Sequence, residues 1–216
     1  MFEMHSKALG LITSISLLAA TTASAAPLLP GSSLLAPAEP DPNGGVVLAT
    51  LTSDFFGSDV DSGTFFSGTL TTQVISGDAN NPLGGLTFTY QFSIDPESTT
   101  SVARFTIDPF DGFGVDVSYL ANTGVIPHIV DRTDLGDVIG YSFTNPPLGG
   151  GRVAAGQISS LLVIQTDAPA FRPARAALTD GTTVEPNSYA AAIPEPGSVG
   201  LLSLGALALL RRRRTA

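Results

Sequence analysis

Two short segments place carboxylates at spacings that could bind a cation. Asp54, Asp59 and Asp61 lie in a segment rich in Ser and Gly, and calcium takes six to eight oxygen ligands in turns of this kind. The spacing departs from an EF-hand loop, because Gly63 replaces the third oxygen ligand and Leu70 replaces the bidentate glutamate. Two interpretations follow, a structural calcium site or ordinary turns in which aspartate side chains bond the backbone.

The other candidate chemistry is weaker. Asp131, Asp134 and Asp137 offer the same two interpretations as the first acidic segment. Nucleophilic hydrolysis needs a base beside a hydroxyl group, and the histidine that follows the first 25 residues is His128, which stands in no catalytic motif. The segment 140–144 lacks the second glycine of a nucleophile elbow. We therefore expect a protein that is not an enzyme.

Composition excludes further classes of function. The 216 residues include no cysteine, which rules out disulfides, thiolate catalysis and iron–sulfur centres. A formal charge of −9 and a pI near 4.4 argue against nucleic acid as a partner, because phosphate binding needs a basic face. We expect no cofactor apart from the calcium considered above.

The first 25 residues have the three parts of a secretory signal peptide. Lys7 precedes an apolar run of 11 residues at 8–18, which is too short to cross ~30 Å of hydrocarbon. Ala23 and Ala25 then form an A-x-A cleavage site. We expect signal peptidase to cut before Ala26; the alternative is an N-terminal helix of the domain.

The last 23 residues carry a second signal. Pro194 and Pro196 hold Glu195 in extended backbone of the kind that a protease or transpeptidase binds. The uncharged run 197–210 would form a helix of about 21 Å, shorter than a ~30 Å bilayer core, so flanking arginines must reach the headgroups and fix that end in the cytoplasm. The alternative is a buried core helix with a basic tail. The predicted anchor and its stop run from Val199 through Leu210 to Arg211, Arg212, Arg213 and Arg214.

A signal peptide, a variable middle, a Pro-Glu-Pro triplet, a short apolar helix and a terminal Arg cluster together resemble the PEP-CTERM proteins of Gram-negative bacteria. The resemblance implies that exosortase, a membrane enzyme, recognises Pro194, Glu195 and Pro196, cleaves near them and passes the protein to the cell surface. Members accompany exopolysaccharide and biofilm production. The stretch 63–166 is similar to the ectodomain of a group of these proteins, which implies no particular activity.

The elements between the two signals are strands. Leu86, Phe88, Tyr90, Phe92 and Ile94 alternate with polar residues, which places all five on one face of a strand. The apolar run 159–164 predicts a central strand, with a short helix as the alternative. Turn residues separate these runs, and the pattern predicts a single antiparallel β-sandwich, jelly-roll-like, flanked by the two terminal helices. The other predicted strands cover 46–52, 63–75, 101–107, 113–119 and 138–144.

The chain divides into five predicted segments. They are a signal peptide at 1–25, a Pro-rich leader at 26–43, the domain at 44–186, a linker at 187–193 and the sorting signal at 194–216. The part from 26 to 193 holds five arginines, no lysine and 17 acidic residues, a formal charge of −12. Any polysaccharide partner is therefore expected to be neutral or bridged by a cation.

These observations favour an exported structural protein of the cell envelope or extracellular matrix, first a membrane-anchored precursor and then at the surface. The alternative is a carbohydrate- or calcium-dependent binding module, and a hydrolase is a third hypothesis. Phe55-Phe56 and Phe65-Phe66 are the candidate interaction patch, because adjacent residues of a strand point to opposite faces and one of each pair can be exposed.

Overall fold

A computed structural model describes residues 26–144 and 151–193. These residues form strands and turns, and the strands belong to two antiparallel sheets, which confirms the predicted all-β sandwich. The described part of the chain contains no helix that could cross a membrane. Both predicted terminal helices lie outside the described residues.

The thirteen strands are β1 Ala26–Pro27, β2 Ser33–Leu35, β3 Val46–Asp59, β4 Thr64–Ser76, β5 Thr87–Ile94, β6 Arg104–Asp108, β7 Val115–Leu120, β8 Ile129–Arg132, β9 Ile139–Ser142, β10 Leu161–Thr166, β11 Ala170–Asp180, β12 Thr182–Val184 and β13 Asn187–Ala192. The first sheet has the order β1-β7-β10-β5-β4-β3. The second has the order β12-β11-β6-β9-β8-β2, and β13 pairs with β11. Among the described strands, seven consecutive connections cross between the sheets and four are hairpins within one sheet.

The core lies between the sheets and is built from the apolar residues at alternating positions along the strands. All five apolar residues predicted to share one face of β5 are buried. β10 lies between β7 and β5, which confirms the predicted central strand. Rings from the two sheets meet here: Tyr90 of β5 is 5.3 Å from Phe105 of β6 between centroids, and Phe92 is 5.6 Å from Phe143. Such aromatic pairs add to the stabilisation from burial.

The sheets extend beyond both predicted ends of the domain. The predicted leader supplies β1, which pairs with β7, and β2, which pairs with β8; Leu28 between them is buried in the core. The predicted linker is mostly β13, paired with β11 over six residues. The density of prolines predicts a leader outside the domain. Pro is tolerated on edge strands, however, and β1 and β2 both lie at the edges of their sheets.

Two tyrosine hydroxyl groups join the sheets. The Tyr141 hydroxyl on β9 donates to the carbonyl of Val163 on β10 at 2.7 Å, and that of Tyr90 on β5 donates to the carbonyl of Tyr189 on β13 at 2.8 Å. Both tyrosines are fully buried, and burial raises the pKa of each phenol well above 10. The phenols therefore stay protonated and act as donors across the core.

Replacing Tyr141 with phenylalanine removes one of these bonds and changes little else. The expected loss in the free energy of unfolding is about 1 kcal/mol, the net value of a buried neutral hydrogen bond. Urea denaturation followed by circular dichroism would measure it, with an unchanged slope. The control is Tyr189→Phe, at a half-buried position, and equal midpoints for the two variants would contradict the assignment.

Candidate functional site

The sorting signal begins where the folded domain ends. β13 ends at Ala192, and Ile193, which is 67% exposed, leaves the sheet beside a groove lined by Phe113, Phe171 and Arg172. Pro194, Glu195 and Pro196, and the predicted anchor from Val199 to Arg214, lie outside the described residues. Because β13 occupies the predicted linker, the triplet follows directly on a hydrogen-bonded strand.

The other processing site also borders a strand. Ala26, the residue after the predicted signal-peptide cut, is the first residue of β1 and lies opposite Val117 of β7. Ala23 and Ala25 lie outside the described residues. Both predicted cuts would therefore fall within a few residues of paired backbone.

A segment that we call the strap, residues 37–43, crosses the outer face of the first sheet. It begins on the open edge of β7, where Ala38 pairs with Tyr119 and the Glu39 amide donates to the Tyr119 carbonyl at 3.0 Å. It ends where the Asn43 amide donates to the carboxylate of Asp78 at 2.9 Å. Asp41 of the strap accepts from Ser118 on the outer face of β7, and the outward-facing Asp116, Ser118 and Gln165 are buried.

Three carboxyl groups are buried between the strap and the first sheet. Glu39, Asp41 and Asp116 are only 6%, 1% and 3% exposed. The Ser118 hydroxyl donates to Asp41 Oδ2 at 3.3 Å, and the Glu39 carboxyl is hydrogen-bonded to that of Asp41. Burial, with the Asp41 charge next in effect, raises the pKa of Glu39 to about 7, and burial raises the pKa of Asp116 to about 6. We call these three residues the acid cluster.

A fourth carboxylate nearby is fully bonded to neutral donors. Asp78 Oδ2 accepts from the Thr87 hydroxyl at 2.9 Å and from Gln165 Nε2 at 3.0 Å, and Oδ1 accepts from the amides of Asn43 and Asn80. Gln165 lies directly opposite Asp116 in the ladder between β10 and β7. Asp78 therefore anchors the end of the strap, and Gln165 connects it to the acid cluster.

The acid cluster predicts a pH dependence for the chain in which Ala26 is still joined to residue 25. Folded Glu39 and Asp116 hold protons that the unfolded carboxyls, with pKa values of 4.5 and 3.8, have already lost. This stabilisation is complete below pH 4 and is lost as the pH rises through about 6 and 7. Urea midpoints across this window should fall more steeply than in the variant with Glu39→Gln and Asp116→Asn. Parallel profiles would contradict the prediction.

The structure does not gather the first candidate calcium ligands. Asp54 lies on an exposed position of β3, whereas Asp59 closes the β3–β4 turn and accepts from the Asp61 amide at 3.0 Å and the Ser62 hydroxyl at 2.9 Å. These bonds, led by that from Ser62, lower the pKa of Asp59. No three His, Asp or Glu side chains within 26–144 and 151–193 are placed to share a metal ion. Calcium binding stays a prediction.

The second acidic segment has structural partners. Both oxygens of Asp131 accept from Arg104 at 2.7 Å, and Asp137 accepts from the Thr133 hydroxyl, a bond that lowers the pKa of Asp137. Asp134 lies in the exposed turn between β8 and β9. His128 immediately precedes β8, and its backbone amide donates to the Ser142 carbonyl at 2.8 Å. The geometry brings none of these side chains into a catalytic arrangement.

The two phenylalanine pairs divide between the core and the surface. Phe55 and Phe66 are buried, whereas Phe56 is 65% exposed and stacks on the half-buried Phe65 with centroids 5.9 Å apart. The predicted exposure of one member of each pair therefore holds for Phe56 and in part for Phe65. Their role as an interaction patch stays a prediction.

One buried arginine holds together the loops near β1. The Arg132 guanidinium is almost fully buried and donates to four carbonyl groups at 2.8–3.0 Å. Burial lowers the pKa of this group, and the charges of Asp111, Asp137 and Asp167 oppose that effect. The four acceptors are the carbonyls of Leu28, Phe110, Phe113 and Gly136.

Sequence reasoning missed the acid cluster. Asp116 and Ser118 alternate with Val115, Val117 and Tyr119, which predicts a solvent face by period alone. What covers this face is a segment far away in the chain. The signal available in the sequence was two acids, Glu39 and Asp41, set between prolines without a basic neighbour.

Comparison with known proteins gives one match. Residues 192–214 match the family model of the PEP-CTERM protein-sorting motif. No curated protein and no solved structure matches the chain. The matched segment begins at the last residue of β13.

Proposed function

We propose that this PEP-CTERM domain-containing protein, whose motif implies an exported, membrane-anchored precursor that exosortase sorts to the cell surface, is a non-enzymatic component of the cell envelope or extracellular matrix. The observation that carries the proposal is the motif itself, which joins the end of β13 without a spacer. Signal peptidase removes residues 1–25, and exosortase cleaves near Pro194, Glu195 and Pro196.

The short connection limits how far the precursor's domain stands from the membrane. Five residues separate Ile193 from Val199, the start of the predicted anchor. Fully extended, the chain from Ile193 to Val199 spans at most about 22 Å. Exosortase would therefore act on a bond close to the folded sandwich, and cleavage there would release the domain with almost no tail.

The charge of the domain supports a structural role in association with an exopolysaccharide. Five arginines against 17 acidic residues, with no lysine, keep residues 26–193 soluble and repel anionic lipid. An exopolysaccharide partner would be neutral or bridged by divalent cations. Association with biofilm matrix follows from this placement at the surface.

Intact mass spectrometry of the protein from envelope and from medium of its native host tests the proposal. The expected species begins at Ala26 and ends near Pro194 to Pro196, with or without an added group. A species that begins at Ala26 but ends at Ala216 would show a plain membrane anchor and contradict sorting by exosortase. A host without exosortase provides the matched control.

A further inference from the structure

The acid cluster lacks a positive charge in the uncut chain. Two ion pairs form among the described residues, Arg104 with Asp131 and Arg152 with Asp180, and neither includes Glu39, Asp41 or Asp116. The nearby Arg132 donates to carbonyl groups and faces other carboxylates. Buried carboxylates normally have a cation or a full set of donors, because desolvation of an unpaired charge is costly.

Two buried oxygen atoms at this place have no donor. Asp116 Oδ1 and Gln165 Oε1 make no hydrogen bond, although their residues are 3% and 1% exposed. The two residues are opposite one another on β7 and β10, so their side chains share the outer face beneath the strap. Gln165 cannot turn its amide toward this space without breaking the bond from Nε2 to Asp78. Above the pKa of Asp116, about 6, its carboxylate is no donor either, so these two oxygens then need a donor from another group.

The residue that could supply this donor is Ala26. It lies opposite Val117, and Pro27 lies opposite Asp116, so the nitrogen of residue 26 stands on the β7 edge beside the acid cluster. Opposite residues in such a ladder have Cα atoms about 5 Å apart, and one step along a strand is about 3.4 Å. Ala38 of the strap pairs with Tyr119, two residues beyond Val117 on the same edge. In the uncut chain this nitrogen is a neutral amide with one proton.

We propose that the α-ammonium group created by the cut before Ala26 binds in the acid cluster and stabilises the strap on the mature domain. The inference rests on the cut included in the proposed function. Hydrolysis of the bond between residues 25 and 26 turns one neutral N–H into a cation with three donors. This cation supplies both the charge and the hydrogen bonds that Asp116 Oδ1 and Gln165 Oε1 lack. Removal of the signal peptide therefore changes the stability of the domain as well as the location of the protein.

Most of the charged groups around the nitrogen are carboxyl groups, and the exception is Arg132, which binds the carbonyl of Leu28 two residues further along the chain. Asp116 and Ser118 flank Val117, the residue opposite Ala26. Asp41 accepts from Ser118, and Glu39 lies close to both aspartates. Asp78 lies beyond Gln165 with its oxygens already bonded, and Tyr141 directs its hydroxyl to the core. These surroundings favour the protonated amine, so its pKa should exceed the 7.7–8.0 of ordinary N-terminal groups.

The chain offers a direct measurement, because Lys7 is its single lysine and is removed with the signal peptide. Ala26 then carries the only primary amine of the exported protein. Trace acetylation with acetic anhydride across a pH series, read by mass spectrometry, gives its pKa and reactivity. We expect a pKa at least about one unit above the ordinary range, which makes labelling at neutral pH about tenfold slower. A variant with Gly-Ser inserted between Ala25 and Ala26 is the control, because its amine stands two residues away from the cluster.

The possible outcomes distinguish failure of this inference from failure of the proposed function on which it rests. Asp116→Asn should bring the pKa of the amine back toward that of the inserted control, whereas Asp54→Asn, at an exposed position of β3 on the opposite edge of the first sheet, should not. A protein that starts elsewhere than at Ala26 contradicts both the proposed cut and the inference. A protein that starts at Ala26 with an ordinary amine pKa contradicts the inference alone. An ordinary amine pKa could also come with a melting temperature that rises in millimolar calcium. If Asp116→Asn abolished that rise, the cluster would be assigned to a metal ion instead.

Discussion

Replacing Arg132 with methionine is expected to lower the free energy of unfolding by about 3 to 4 kcal/mol. Methionine preserves much of the buried volume but donates to none of the four carbonyl groups that the guanidinium now satisfies. Each buried acceptor left without a donor costs about 1 kcal/mol or more, less where water enters. Urea denaturation followed by tyrosine fluorescence measures the loss.

The matched control is Arg172→Met, which removes the same charge from an exposed position. It should change the free energy of unfolding by no more than about 0.5 kcal/mol. If the two variants unfold at the same urea concentration, the four bonds to Arg132 do not stabilise the domain. A selective loss in Arg132→Met would also show that the predicted leader is a part of the folded unit, because one of the four carbonyls belongs to Leu28.

Changing Pro194, Glu195 and Pro196 together to alanine is expected to abolish C-terminal processing while leaving the domain folded. β13 ends at Ala192, before the triplet, so the change should remove the proposed exosortase recognition site without altering the described core. The protein should accumulate as a species that ends at Ala216, visible by mass spectrometry of the envelope fraction.

The domain contains its own control for this experiment. Glu185 precedes a proline, as Glu195 does, but lies between β12 and β13. Glu185→Ala should be processed normally, because the sorting enzyme needs the triplet beside an apolar run. Normal processing of the triple variant would contradict the recognition role of the triplet. Loss of processing in Glu185→Ala as well would point to damage of the domain.

The local patterns of the sequence predicted the interior of the sandwich well. Alternation in β5 reflects one apolar face, although Thr87 and Thr89 on its polar face are also buried. The continuous apolar run of β10 reflects burial on both faces, and period alone left a short helix as its alternative. The edge strands were harder to predict from the sequence. β1, β2 and β13 are short and carry Pro, Ser or Ala, and their pairing depends on partners distant in sequence.

The candidate sites divide in the same way. A sorting signal is a local sequence and can be found from residue order, as at Pro194. The acid cluster exists only because the strap brings Glu39 and Asp41 onto Asp116, which no local pattern encodes. Asp59 and Asp131 looked equally suited to a metal, yet one caps a turn and the other pairs with Arg104.

The placement of strands at both ends of the domain also governs when it can fold. The first residues of the predicted mature domain pair with β7, and Thr72 of β4 bonds Ser188 of β13, 116 positions later. Chains dominated by such distant pairings close slowly, because the entropy of long loops must be overcome before the contacts form. The sandwich therefore cannot complete its sheets until the sorting motif itself reaches the membrane. Slow closure would leave the chain unfolded for longer while it is exported.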